Sequence, residues 1–274
     1  DPTSDCWFNL GAAYQRVEEW DRAAEAFKKA ATLSPDDPDA LYQLAAGLGK
    51  SGRHAEEIEV YRRVLALAPS HADALHNLSL ELERRGDSEE AAGLLGRLVE
   101  LEPSNAEAHL ALGLIHERAG RLEPARKQYE AALDARPEYT EAMLALGLVY
   151  HRQGETERAM GWYRKLLTEQ PENARVHYGV GLIQQETGAL EEARVSFDRA
   201  TSLQPDLVDA WLSLGQVEEA TGAYTRAAGF YEQGLEYADE DPRLLYALGH
   251  VLFTKGDWFG AKGYFQRLDR IKPN

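Results

Sequence analysis

Proline recurs at Pro35, Pro69, Pro103, Pro137, Pro171 and Pro205, each 34 residues after the last. The series skips one beat at Asp239 and returns at Pro273. Length alone would suggest one or two globular domains, but a compact domain has no reason to repeat itself at a fixed interval. A constant period of this size marks small units that cannot bury their apolar faces alone and must stack. Such an array offers an extended surface, which points to binding before catalysis.

Other series run in step with the prolines. A small residue recurs at Gly11, Ala45, Ser79, Gly113, Gly147, Gly181, Gly215 and Gly249, each preceded by Leu or, at Val180, valine. Three residues before that position stand Trp7, Leu41, Leu75, His109, Met143, His177, Trp211 and Leu245. Alanine recurs at Ala23, Ala91, Ala125, Ala159, Ala193, Ala227 and Ala261. Four residues beyond this register come Phe27, Tyr61, Leu95, Tyr129, Tyr163, Phe197, Tyr231 and Phe265. Spacings of three and four place these residues on one face of a helix. Gly52, Gly86, Gly120, Gly154, Gly188, Gly222 and Gly256 separate the two patterns and suit the left-handed closure of a helix. Each unit therefore reads as helix, turn, helix, with proline stopping the second helix. Glycine inside a helix costs about 1 kcal/mol against alanine, so its recurrence implies close approach. The pattern predicts that the first helix nestles against the alanine face of the second, with the large aromatics filling space toward the next unit.

These residues resemble the tetratricopeptide repeat family. The first unit carries the pattern at Trp7, Leu10, Gly11, Tyr14, Ala23, Phe27, Ala30 and Pro35, and the fifth at Leu146, Gly147, Tyr150, Ala159, Tyr163 and Pro171. The resemblance covers residues 4–273, with repeats starting near 4, 38, 72, 106, 140, 174, 208 and 242. It implies an all-α fold, a right-handed superhelical solenoid of helix-turn-helix repeats, and a role in protein–protein contacts.

The formal charge is −16, from 30 basic and 46 acidic residues. Phosphate backbones and anionic lipid surfaces would repel such a chain, so nucleic acid is not an expected partner. The charge also serves solubility. With one cysteine, Cys6, no internal disulfide can form, which fits a soluble protein of a reducing compartment such as the cytoplasm. The longest run without a formal charge, Leu244 to Thr254, is too short to span a membrane. The start at Asp1, with no initiator Met and no signal-like segment, fits an excised piece of a longer protein.

Several apparent chemical motifs dissolve on inspection. Gly49-Lys50-Ser51 lacks the earlier glycine of a phosphate loop, since Leu44 stands there, and it ends a helix where the motif needs a strand. Asn77-Leu78-Ser79 reads as a glycosylation sequon but lies mid-helix. The eight histidines are scattered, and His109, His177 and His116 replace aromatic or aliphatic residues of the repeat, so they read as partly buried structural residues and not as metal ligands. No carboxylate pairs with a nucleophile at a telling spacing. The expectation is a non-enzymatic protein with no cofactor and no metal.

By the family resemblance, the first helices line an inner, concave wall. Two series should point inward along it. One runs Phe8, Tyr42, His76, Leu110, Leu144, Tyr178, Leu212 and Tyr246; the other runs Ala12, Ala46, Leu80, Leu114, Leu148, Leu182, Gln216 and His250. The wall from Leu80 to Leu212 is apolar, which suits either a ligand groove or packing between neighbouring first helices. Beside it run Arg16, Lys50, Arg84, Arg118 and Arg152, placed to meet helix C-termini or an acidic ligand. The expected partner-binding residues are Tyr42, Leu80, Arg84, Leu110, Leu114, Arg118, Leu144, Leu148, Arg152, Tyr178, Leu182 and Leu212. The terminal-carboxylate clamp of chaperone-binding members is not expected, because Phe8 and Ala12 stand at its Lys and Asn places and Asp73 and Asn77 at its later basic places.

The expected function is a scaffold capturing a peptide or helical segment of a partner. Two alternatives stand beside it: a regulatory or substrate-recruiting arm of a larger enzyme, and a self-assembling scaffold. The second is prompted by the last repeat, which carries Trp258, Phe259, Tyr264, Phe265, Leu268 and Ile271 with no polar capping helix after it. One departure stands out within the array. Glu57 replaces the alanine of the other seven units, and the cost of burying a carboxylate predicts a partly exposed side chain and a looser second repeat.

Overall fold

The computed structural model describes residues 2–271. Pro273, the end of the expected array, lies outside the described residues. Within them the chain forms sixteen α-helices in eight hairpins. The first helices are α1 (Ser4–Arg16), α3 (Pro38–Lys50), α5 (Ala72–Arg85), α7 (Ala106–Arg118), α9 (Thr140–Arg152), α11 (Ala174–Glu186), α13 (Val208–Ala220) and α15 (Pro242–Thr254). The second helices are α2 (Trp20–Leu33), α4 (His54–Leu67), α6 (Ser88–Leu101), α8 (Leu122–Ala135), α10 (Thr156–Glu169), α12 (Leu190–Leu203), α14 (Tyr224–Tyr237) and α16 (Trp258–Ile271). Two compact units divide between Ala142 and Met143. In unit 1, α1 to α8 pack each against the next; in unit 2 the same succession runs from α10 to α16.

The starts and stops follow from the repeat. Thr3, Asp37, His71, Asn105, Asn173 and Asp241 share one register, and each accepts a backbone N–H in the first turn of its first helix. Pro38 and Pro242 follow two of these caps, where a missing N–H costs nothing. Between the helices of a hairpin the glycines Gly52 to Gly256 all have positive φ. The first repeat has Glu18 in this place at φ 59°, a conformation that strains any residue with a Cβ.

The mid-helix glycines answer to a different neighbour from the expected one. A Cβ on Gly113, Gly147, Gly181 or Gly215 would lie 2.0–2.6 Å from the ring of Tyr129, Tyr163, Phe197 or Tyr231 in the same repeat. Gly11 faces Phe27 and Gly249 faces Phe265 in the same way. So the glycine makes room for the aromatic of its own hairpin. The ring also reaches the next unit as expected: a Cβ on Gly179 of the sixth repeat would lie 2.7 Å from Tyr163 Cζ of the fifth, and the Tyr61 hydroxyl meets Asn77 of the third repeat. Tyr61, Tyr129, Tyr163, Tyr231, Phe27 and Phe197 are the largest fully buried side chains, and the alanine series packs around them. Each such ring buries on the order of 150–250 Å².

Polar residues in the aromatic slot have their own bond. His109 Nε2, His177 Nε2 and Trp211 Nε1 lie 3.1, 2.9 and 2.8 Å from the carbonyl oxygens of Pro103, Pro171 and Pro205, six residues earlier. The ring N–H thus ties the first helix to the turn that precedes it. His109 is buried and His177 half-buried.

Gly215→Ala tests the ring contact, since the added methyl would sit 2.0 Å from Tyr231 Cε1. Overpacking costs about 1–3 kcal/mol, against a helix-propensity gain of about 1 kcal/mol. The expected result is a net loss of stability, read as a lower urea midpoint, whereas Gly229→Ala, which meets open space, should be neutral or stabilising.

Candidate functional site

The first-helix face of each unit presents the expected strip, but only part of it is open. In unit 1, Leu80 and Leu114 are 42% and 41% exposed. Tyr42 and Leu110 are half-buried. The Tyr42 ring stacks on His71, 4.8 Å between centroids, and leans on Tyr61 at 5.9 Å. Asn77 Nδ2 donates to the hydroxyls of both Tyr42 and Tyr61, at 3.2 Å each. In unit 2, Leu144, Leu148, Tyr178, Leu182 and Leu212 are all half-buried. Tyr178 and Leu182 pack on a core of Ala193, Phe197, Leu214 and Val217. The strip therefore does both things at once: its inner edges pack between repeats and its outer edges face solvent.

The basic row is partly committed within the chain. Arg84 Nη1 meets Glu81 Oε1 at 2.9 Å, and Arg118 pairs with Glu83. Arg84, Arg118 and Arg152 are exposed. Their carboxylate partners are largely buried, Glu81 at 9% and Glu83 at 17% exposed, so each exposed guanidinium answers a carboxylate that water reaches poorly.

A wide opening lies in unit 2, toward its last repeat. A cleft of about 860 Å³ has an apolar floor of Leu212, Tyr246, Ala247, Phe265 and Leu268. Its rim carries Glu219, Arg243, His250 and Asp269. Tyr231 lines it too and donates its hydroxyl to Glu219 at 2.5 Å; burial and that carboxylate hold the phenol strongly protonated. Of the twelve expected partner-binding residues only Leu212 lines this cleft. Tyr246 and His250 continue the two inward series, yet the search for an unbroken leucine run passes over them. Just beyond, Phe253, Trp258 and Phe259 are 60%, 69% and 91% exposed.

Glu57 departs from its expectation. It is 5% exposed, on a regular helix of the same 14-residue length as its counterparts. The physical reason is twofold. Gly49 leaves space where a Cβ would lie 2.4 Å from Glu57 Oε1, and His54 Nδ1 stands 3.2 Å from Glu57 Oε2. Burial raises the Glu57 pKa above the ordinary carboxylate range, and the His54 hydrogen bond opposes that shift. His54 and Glu57 also gather with Glu81, a grouping that the scattered histidine positions do not announce.

Helical hairpins repeated at 34 residues, seven with an aromatic ring and one with Leu95 set against a small residue, define a class of solenoid proteins. The chain belongs to the tetratricopeptide repeat family, and the family model spanning most of it, residues 103–274, is described as the C-terminal domain of cilia and flagella-associated protein 70. Tetratricopeptide repeat models match residues 4–37, 38–71 and 76–128. No curated protein matches the sequence. Among solved structures, a tetratricopeptide repeat protein from Parabacteroides merdae is similar with a TM-score of 0.69 at 15% identity, over 91% of this chain and 98% of that one. PilF from Pseudomonas aeruginosa gives 0.62 at 23% identity, over 74% and 92%. YrrB, described as a protein with an unusual peptide-binding site, gives 0.61 at 21% identity, over 68% and 96%. These likenesses establish the fold. No helix among the described residues is long and apolar enough to cross a membrane.

The bridging amide gives a test of the face itself. Asn77→Ala leaves the buried Tyr61 hydroxyl without its donor, and an unsatisfied buried group costs about 1–3 kcal/mol. Chemical denaturation should show a loss of that size, while Arg194→Ala, which breaks an ion pair with Glu191 exposed on both sides, should change stability by less than about 1 kcal/mol.

Proposed function

We propose that the protein is a non-catalytic scaffold that binds an extended or helical segment of a partner protein along its first-helix face. The reading rests on one observation: a cleft of about 860 Å³ with an apolar floor and a rim bearing both signs of charge. A pocket of this size takes two or three large side chains. Its mainly apolar lining favours an apolar anchor, flanked by polar groups that reach Arg243, His250 and Glu219. In this reading Leu80, Leu110, Leu114, Leu144, Leu148, Tyr178, Leu182 and Leu212 extend the contact along each unit, Tyr42 closes one end, and Arg84, Arg118 and Arg152 orient acidic positions of the ligand. Peptide binding by the similar YrrB protein supports the mode of contact. A substrate-recruiting arm of a larger enzyme would use the same face.

The test is affinity capture with wild type beside two variants, Leu114→Glu/Leu148→Glu and Tyr246→Glu. Partners of the face should be lost from at least one variant while circular dichroism shows full helicity. Identical partner sets for all three proteins would overturn the reading.

A second reading, self-association, is favoured by the exposed Phe253, Trp258 and Phe259 on the last hairpin. Exposed aromatic clusters of this kind mark contact surfaces. Light scattering across a concentration series should show mass rising with concentration for wild type and staying constant for Trp258→Glu/Phe259→Glu. A concentration-independent monomer for wild type would remove this reading and leave the groove untouched.

A further inference from the structure

Four breaks in the 34-residue pattern meet at one point between the second and third repeats. Glu57 replaces alanine. Glu81 stands in a series that is otherwise small or aliphatic, as at Gly47, Ile115, Val149 and Val217. Gly49 is the one glycine in a register held by Glu83, Glu117, His151 and Glu219. His54 takes a place filled elsewhere by Trp20, Ser88 or Leu122. One isolated departure is drift; four that touch form a constructed site.

The Glu57 and Glu81 side chains are 7% and 9% exposed, and His54 is 48% exposed above them. His54 Nδ1 lies 3.2 Å from Glu57 Oε2 and 3.1 Å from Glu81 Oε2. One ligand atom from each of the three lies within 4.8 Å of the others. A single imidazole nitrogen carries at most one proton, so it cannot satisfy two buried carboxylates. Leaving two anions together in a dry site is unfavourable, and a cation between them removes the conflict. The spacing suits one. Zinc bonds of about 2.0–2.2 Å in a tetrahedron place neighbouring ligand atoms about 3.3–3.6 Å apart; the two His54–carboxylate separations, 3.2 and 3.1 Å, are a few tenths of an ångström shorter, and the two carboxylates come within 4.8 Å of each other. The other oxygen of Glu81 accepts from Arg84 at 2.9 Å, which orients the carboxylate from outside as supporting residues of metal sites do. A space of about 210 Å³ adjoins the carboxylates, lined by Lys50, Tyr61, Asn77 and Arg84, with room for a water ligand.

We propose that His54, Glu57 and Glu81 bind a divalent transition-metal ion, of the zinc type that mixed imidazole and carboxylate ligands select, with water in the remaining position. The ion joins α4 to α5 and so fastens the second repeat to the third. The site lies in unit 1; it shares Arg84 with the first-helix face, but its three ligands are none of the residues proposed to bind a partner.

Tag-free protein stripped with chelator is titrated with Co²⁺, followed by visible absorption, and with Zn²⁺ by calorimetry. Wild type should bind one equivalent, with the intense visible bands of low-coordinate cobalt, and should melt at higher temperature when loaded. Glu57→Ala restores the residue of the other repeats and is expected to fold; Glu57→Gln keeps the shape, and His54→Ser borrows the residue of the third repeat. Each should weaken binding at least about tenfold, while His76→Ala binds as wild type. The absence of one-to-one binding by wild type would overturn the proposal, showing that the cluster holds a proton instead. Undiminished binding by the Glu57 and His54 variants would overturn it too.

Discussion

The contact between an aromatic ring and the bare Cα of a mid-helix glycine sets the geometry of the hairpin. It fixes the distance between the two helices, because the ring lies where a side chain on the first helix would be. Glycine weakens the helix by about 1 kcal/mol, and burying a large ring repays several times that amount, since truncating one costs about 3–5 kcal/mol. The balance explains why glycine persists at Gly113, Gly147, Gly181 and Gly215 against its own propensity. It also explains Ala45 and Ser79: small residues remain acceptable where the ring, or Leu95 in its place, can shift slightly.

Once the ring is seated, its hydroxyl needs a partner, and that need spreads the repeat's polar pattern. Tyr129 donates to Glu117 at 2.7 Å and Tyr231 to Glu219 at 2.5 Å, both carboxylates twelve residues earlier on the first helix. In the second repeat that register holds Gly49. The Tyr61 hydroxyl turns to Asn77 of the next repeat instead, and the vacated space admits the Glu57 carboxylate. A change at one position therefore relocates a negative charge from the first helix to the second and brings it against Glu81. The unusual cluster is a consequence of the same packing rule that builds the regular repeats.

The period, the hairpins and the family were legible in the sequence because they rest on spacing, which survives substitution. Helix boundaries followed from the turn glycines and the prolines; the capping register at Asp37, Asn105 and Asn173 emerged only in the fold. The partner of each glycine was not legible, since spacing says that two surfaces approach without saying which atoms meet. Glu57 was misread for a related reason. Burial cost alone argued for exposure, but the cost depends on His54 and Gly49, which only the folded hairpin brings alongside. The face was half legible: of the leucines in the two registers, Leu80 and Leu114 are exposed and the others are half-buried against their neighbours. The cleft lined by Leu212, Tyr246 and Phe265 was not legible, because it depends on how side chains of neighbouring repeats meet in space, which periodicity does not give.

Repeat arrays couple mainly between nearest neighbours, and this decides where specialised chemistry can be placed. A buried charge in the core of a globular domain burdens the whole fold. Here the penalty of Glu57 and Glu81 is confined to the α4–α5 junction, while the rings of the remaining repeats hold their own hairpins. The same locality lets the first-helix face vary from aromatic at Tyr42 to aliphatic at Leu110 without disturbing the frame. A chain built this way can change what it binds one register at a time, provided the small residue and the ring behind it are kept.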